Sequence, residues 1–449
     1  MSQLDARTQT LLRRLVRHRA DGAVRKLVDR YPAPDLAAAM EHLTETEQRR
    51  VYRLIVDRDA AAEIMASLSG AACRAVTHKM NQDTVIDLLS RMSSDDATDV
   101  VASMNESMRE RVLEALGDDA TVDLLALLAW PSESAGGLMS TQAFVLPQTS
   151  TCGQAIAALQ ERHEELESVY YLYLVDEGER LVGVTSLRNL LTHPPRMALS
   201  EMMVPEPIRV APTVDQEEVA RIVARYDLLA VPVVDDKLRV LGIVTVDDVL
   251  DVIHNEAAED MMLMAGVADP SLSLSLRRQA AYRGGWLLAT IAGGLLAAEI
   301  ITQFEDSLKS MAVLAVFIPV IMGMGGNVGI QSATLAVRGL ATGSVRLGGV
   351  LPFLWREARV GLMLGVLFGV LLGAYGLMRY PDQPMLGVSL ATSILLAIVA
   401  AGIIGAALPV VFQRLHVDPA IATGPFVTTL VDLLGIVIYF TVAGALLGL

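Results

Sequence analysis

The chain has 449 residues, 53% of them hydrophobic and 19% charged, a formal net charge of −15 and a mean hydropathy of +0.44, so it is longer than one ordinary domain and too apolar for a typical soluble protein. The charge is uneven: residues 1–270 carry 26 Lys and Arg against 44 Asp and Glu, while residues 271–449 carry 10 against 7. An acidic front half repels phosphate backbones, which makes nucleic acid a poor partner and favours inorganic cations or basic partners.

Residues 1–130 read as an all-helical domain. Apolar positions recur at helical spacing in PDLAAAMEHLTETEQRRVYRLI, DTVIDLLSRM and SSDDATDVVASMNESMRERVLEALG, with Ser and Asp placed as caps at the joints. Short helices with short polar turns predict a bundle or a small superhelix. Only Cys73 and Cys152 occur, which supports neither a disulfide framework nor a cysteine metal site and fits a reducing compartment. The charged start, MSQLDARTQTLLRRLVRHRA, has no continuous apolar core, so no signal peptide is expected.

Residues 131–256 contain an internal repeat of roughly 60 residues, with copies over about 139–199 and 200–256. YLYLVDEGERLVGVTSLRNLL in the first copy matches AVPVVDDKLRVLGIVTVDDVL in the second: strand, acidic turn, a glycine-bearing strand, then a helix opened by a Ser or Thr cap. The pattern resembles a tandem pair of CBS domains, α/β modules that often bind adenosine nucleotides. That resemblance implies a nucleotide, ATP or another adenosine nucleotide, at Thr245 and Asp248, whose Thr-x-x-Asp spacing would hold ribose hydroxyls; as an alternative, the two residues only cap the following helix. The first copy departs from the pattern, with Ser186 followed by Asn189.

A linking helix over 257–280 leads to a membrane domain over 281–449. Apolar stretches long enough for a bilayer core occur near 284–303, 311–337, 359–378, 385–412 and 420–447, predicting five spans. Arg277, Arg278, Arg283, Arg338, Arg346, Arg356, Arg359 and Arg414 fall on one side, Lys309 and Arg379 on the other. This bias puts the acidic half in the cytoplasm and Leu449 outside.

Asp432 falls about midway along the fifth span. A carboxylate there costs about 2.5–3.5 kcal/mol on insertion scales and should face a cavity or the bundle interior. The second span, FIPVIMGMGGNVGIQSATLAVRG, is rich in glycine and is expected to unwind and offer carbonyls to an ion; Gly424 and Pro425 interrupt the fifth span in the same way. Asp95 and Asp99 lie one helical turn apart, and DDVLDVIHNEAAEDMMLMAGV places Asp248, Asp251, Glu256 and Glu259 on one broad helix face with Asp260 at its edge.

GGNVGIQSATLAVRGLA, the ending DPA…GPFVTTLVD…GIVIYF, the paired CBS modules and the helical front domain together resemble the MgtE family of Mg2+ channels or transporters along essentially the whole chain. The resemblance implies a multi-pass protein of the plasma (inner) membrane, a homodimer through its membrane and CBS domains, and Mg2+ as substrate and regulator. It implies a pore at Asp432 and Asn327, with Gly325, Gly326, Gly424 and Thr428 beside them. It also implies regulatory Mg2+ at Glu63, Asp95, Asp99, Asp215, Glu217, Asp227, Asp248, Asp251, Glu256, Glu259 and Asp260.

No GxxxxGK[ST] loop is present to power a primary pump, and no enzyme activity is expected. Influx of Mg2+ down its gradient, gated by cytoplasmic Mg2+, is the leading expectation; another divalent cation such as Mn2+ or Co2+ is the alternative. An intramembrane aspartyl protease needs a second membrane carboxylate, and only Glu299 falls inside another predicted span.

Overall fold

The computed structural model describes residues 6–116, 124–162, 166, 169–266, 276–345 and 349–449. It divides into two compact units, residues 1–253 and 254–449. Arg346, counted above among the positive loop residues, lies outside the described residues.

The first unit opens with short helices of 8 to 12 residues, from Ala6–Arg17 to Glu106–Ala115. Their starts are set by local chemistry. Asp57, Ser69, Ser93 and Asn105 accept hydrogen bonds from first-turn amides, and Thr44 with Glu47 forms a reciprocal capping box. From Ala33–Glu41 onward each helix packs on the next but one, which winds the domain into a short superhelix. Its core runs through Leu12, Leu36, Met40, Met65, Leu88 and Val101, all fully or almost fully buried.

The two repeat copies fold alike. β1 (Val145–Pro147) pairs parallel to β2 (Tyr171–Val175), β2 antiparallel to β3 (Leu181–Ser186), and β3 antiparallel to β4 (Val204–Pro205). In the second copy β5 (Ala230–Val234) pairs antiparallel to β6 (Val240–Thr245). The register slips at Leu174/Val175 and at Val233/Val234, the corresponding place in each copy. Each acidic turn is held by one carboxylate: Asp176 Oδ1 accepts from the amides of Gly178 and Arg180, and Asp235 Oδ1 from those of Lys237 and Arg239. The strand glycines are sterically required. A Cβ on Gly183 would stand 2.4 Å from Met203 Sδ, and one on Gly242 2.5 Å from the Ser140 carbonyl oxygen.

The helix Val246–Met264 follows β6. It supplies residues 257–264 of the expected linking segment, 267–275 lie outside the described residues, and a second helix begins at Leu276.

Among the described residues of the second unit five helices are long and apolar enough to cross a membrane: Arg283–Gln303, Leu314–Ala341, Val350–Arg379, Pro384–Arg414 and Pro419–Leu447. The third and fourth lie backbone to backbone. A Cβ on Gly361, Gly365, Gly369, Gly373 or Gly376 would stand between 2.9 and 3.1 Å from the fourth helix, the close approach that small residues permit between apolar helices. Tyr439 of the fifth span donates to the Leu314 carbonyl at 2.9 Å, and the Phe304 and Phe440 rings stack at 4.8 Å.

One expectation fails here. The second span does not unwind; it is a continuous α-helix from Leu314 to Ala341 with Pro319 inside it. Helical glycine costs roughly 1 kcal/mol relative to alanine, but these glycines let neighbouring helices close in. A Cβ on Gly405 would fall 2.2 Å from the Gly329 carbonyl oxygen. Packing overrides propensity, and the carbonyls stay in the helix ladder. The interruption at Gly424 is real: a 3-10 turn, Pro419–Thr423, ends there and the α-helix restarts at Pro425.

Candidate functional site

The second and fifth spans meet around Asp432. It stands two turns into the helix that restarts at Pro425, half-buried, with Oδ1 3.7 Å from where a Cβ on Gly326 would be. Val431 beside it closes on Gly325 and Gly329, whose added Cβ atoms would each stand 3.1 Å from its methyls. One turn before Asp432, the Thr428 hydroxyl donates to the Pro425 carbonyl at 3.1 Å and lies 3.4 Å from the Gly424 carbonyl. Gly325, Gly326, Gly424, Thr428 and Asp432 therefore share one seam. Asn327 is exposed on the single chain, as are Gly323 and Ile330 on the same side of the helix.

A carboxylate the sequence reading left out lies nearby. The third span begins at Val350, not 359, and so includes Glu357, which corrects the statement that Glu299 is the one other acidic residue in a span. Glu357 is 4% exposed and accepts the Ser332 hydroxyl at 2.9 Å. Its neighbours Arg356 and Arg359 face outward. The run Arg-Glu-Ala-Arg reads as a polar loop unless helical periodicity is carried through it, which turns Glu357 inward alone.

In the first unit, Asp95 and Asp96 on the helix Ser94–Ser103 oppose Asp247, Asp248 and Asp251 at the start of Val246–Met264, with Asp99 beside Asp96 on the same helix. Burial, then the charge of Asp95, pushes the Asp248 carboxyl up to about 7. Burial, with Asp247 and Asp251 adding, raises Asp96. Burial and then Asp96 raise Asp99, although one side of Asp99 stays open to water, which screens the effect. Asp96 also lines a cavity of about 340 Å³ with Glu63, Asp59 and Gln142, so Glu63 joins this group. Asp96 and Asp247 are additions to the expected set; both adjoin expected residues, but only the fold brings the two stretches together.

Asp215, Glu217 and Asp227 stand apart. Asp215 caps the helix Gln216–Tyr226, accepting from the Glu217 amide at 2.9 Å, and Asp227 ends it in the left-handed region at φ 52°; the helix separates them by roughly 16 Å. The Thr245 hydroxyl donates to Asp248 Oδ2 at 2.5 Å, and the Thr245 amide reaches the same oxygen at 3.3 Å. In the first copy the bond runs the other way, from the Asn189 amide to Ser186 Oγ at 3.3 Å.

In the second unit, the end of Val246–Met264 lies on the break in the fifth span. A Cβ on Gly424 would stand 3.5 Å from the Met264 carbonyl oxygen and 3.8 Å from that of Leu263. Leu263 is buried against Ala420 and against Val337 of the second span. Burial, then Asp418, Glu256 and Glu259, pushes the Asp260 carboxyl up to about 6. Asp418, which caps the Pro419 turn by accepting from the Ala420 amide at 2.7 Å, is another residue the sequence did not single out.

Among the described residues no three carboxylate, imidazole or thiol side chains converge as a ready metal site.

A family profile described as a divalent cation transporter matches residues 318–442, one for the MgtE intracellular N domain matches 31–133, and CBS domain profiles match 135–195 and 199–255. The magnesium transporter MgtE of Bacillus subtilis is 33% identical over 439 residues, 97% of each chain. That of Thermus thermophilus is 40% identical over 325 residues, 72% of each chain. Among solved structures, the cytosolic domain of the Mg2+ channel MgtE in complex with ATP is 31% identical, covers 54% of this chain and 99% of its own, and superimposes with a TM-score of 0.50.

Proposed function

Since the chain belongs to the MgtE family of magnesium transporters, we propose that it is a gated Mg2+ channel whose ion path runs past Asp432 and whose gate is the end of the helix Val246–Met264. The observation that carries this reading is the seating of Leu263 and Met264 on Gly424, where the fifth span is broken two turns before Asp432.

Two copies of the chain, related by a two-fold axis, bring two Asp432 carboxylates and two Asn327 amides to one path. The exposed face of Gly323, Asn327 and Ile330 on the second span suits such an arrangement. Mg2+ then passes without shedding all its water. With the acidic half in the cytoplasm and Leu449 outside, the inward-negative potential drives the ion by about 2.3 kcal/mol per charge per 100 mV.

Gating follows from repulsion. Asp95 and Asp96, with Asp99 beside Asp96, confront Asp247, Asp248 and Asp251, and Asp260 confronts Asp418. Cytoplasmic Mg2+ neutralises these groups and favours the compact, closed state; its loss lets them separate. A ligand shifts such a balance only through its different affinity for the two states. Glu63, Glu256 and Glu259 belong to the same sites, while Asp215, Glu217 and Asp227 would serve a neighbouring chain or a second conformation. ATP at Thr245 and Asp248 would change the same helix start.

The test is Mg2+ uptake into liposomes at controlled internal Mg2+. Asp432→Ala should abolish flux, and joint neutralisation of Asp248, Asp251 and Glu259 should leave flux insensitive to internal Mg2+. Undiminished flux in the first variant rejects the path, and unchanged inhibition in the second rejects the gate.

A further inference from the structure

The N-terminal helical domain holds a second kind of site. A cavity of about 430 Å³ opens between its helices, within the range of roughly 300–1,000 Å³ typical of small-molecule sites. In a half-chain with 18 more acidic than basic residues, four of its lining residues are Arg49, Arg53, Arg58 and Lys79, and no carboxylate lines it. We propose that this cavity binds a small phosphate-bearing molecule of mononucleotide size.

The cations are available. Among the described residues the side chains of Arg53 and Lys79 have no hydrogen-bond or ion-pair partner. Arg58 reaches Asp87 at 3.6 Å and Arg49 reaches Glu45 at 3.9 Å, both wider than the roughly 2.7–2.9 Å of a committed charge-assisted bond. Arg49 is nevertheless fixed in place, since its guanidinium donates to the Ala75 carbonyl at 3.3 Å and to Thr46 Oγ1 at 3.4 Å. Tyr52 forms part of the wall and is itself anchored, its hydroxyl donating to the Ala61 carbonyl at 2.7 Å.

Two further features specify the ligand. Asn81, at the cavity edge, is the N-cap of the helix Gln82–Leu89 and makes no side-chain cap bond; the positive end of that helix adds to the four side chains in favouring an anion. The lining also has an apolar part, with Ile55, Met80 and Val56, the last 71% exposed. A bare inorganic anion would leave that wall wet, whereas a phosphate on a flat organic body covers it. The surrounding acidic field opposes any anion, so affinity rests on these few contacts and should weaken as salt screens them.

The test uses the full-length chain in detergent, carrying Asp248→Asn to remove the carboxylate proposed for nucleotide at the CBS pair, with AMP and inorganic phosphate as probes in equilibrium dialysis. AMP should bind once per chain and more tightly than phosphate. Arg53→Ala with Lys79→Ala, two exposed residues whose loss leaves the core intact, should weaken AMP by roughly tenfold or more, as loss of two charge-assisted contacts would. Absence of AMP binding, or binding equal in the doubly substituted protein, overturns the proposal. None of these readouts involves ion flux, so they stand or fall apart from the channel reading.

Discussion

Ser332 on the second span donates its hydroxyl to Glu357 on the third at 2.9 Å, and both residues are 4% exposed. The bond ties the start of the third span to the helix that carries Gly325, Gly326 and Asn327. Replacing Glu357 with Leu leaves that hydroxyl buried without an acceptor, a cost of about 1–3 kcal/mol. Glu357→Gln keeps an acceptor oxygen. Thermal unfolding in detergent should therefore rank wild type and Gln close together with Leu clearly lower; equal melting of Leu and Gln variants would show that the bond contributes nothing.

The glycine contacts make a sharper steric prediction. Gly405→Ala drives a methyl to 2.2 Å from the Gly329 backbone oxygen, whereas a Cβ on Gly285 meets nothing within 4 Å. Overpacking of this kind costs about 1–3 kcal/mol. Gly405→Ala should lower the melting point and reduce the yield of folded protein, and Gly285→Ala should do neither.

Acidity should stabilise the first unit. Asp248 is held at about 7 and Asp96 and Asp99 are also raised, so between the ordinary carboxylate range and neutrality the folded chain binds more protons than the unfolded one. Stability then falls as pH rises through that window. The protection of amides in the helix Ser94–Ser103 of the full-length protein, without divalent cations and corrected for the pH dependence of intrinsic exchange, should rise on going from about pH 7.5 to about pH 5.5. Asp248→Asn should remove much of the change. Added Mg2+ should protect that helix more at the higher pH, where the carboxylates are charged. Protection that is independent of pH would remove the electrostatic basis for gating.

Asp418 separates a capping role from a charge role. Asp418→Asn keeps an oxygen for the Ala420 amide yet relieves Asp260, while Asp418→Ala also loses the cap, at about 1 kcal/mol. If repulsion opens the gate, the Asn variant should be inhibited at lower internal Mg2+ than wild type in the liposome assay. A shift to higher Mg2+ would reverse the assigned role of this pair.

Much of the architecture was legible because its causes are local. The caps at Ser69 and Ser93, the acidic turns at Asp176 and Asp235, and the Ser186 and Thr245 helix starts each depend on residues within a few positions. The repeat doubled the signal. What stayed hidden needs distant partners. Asp418 becomes significant only beside Asp260, about 160 residues away, and Glu357 only beside Ser332. The second span was misread for the same reason, since composition reports what glycine costs a helix and not what a neighbour such as Gly405 gains from it.

The glycine seam between the third and fourth spans has a mechanical consequence. Two helices held this close over about four turns leave little side-chain layer in which to slide or repack, so they are expected to travel together as a single strut. Any widening of the ion path proposed above must then be taken up elsewhere, and the break in the fifth span at Gly424 offers a joint for it.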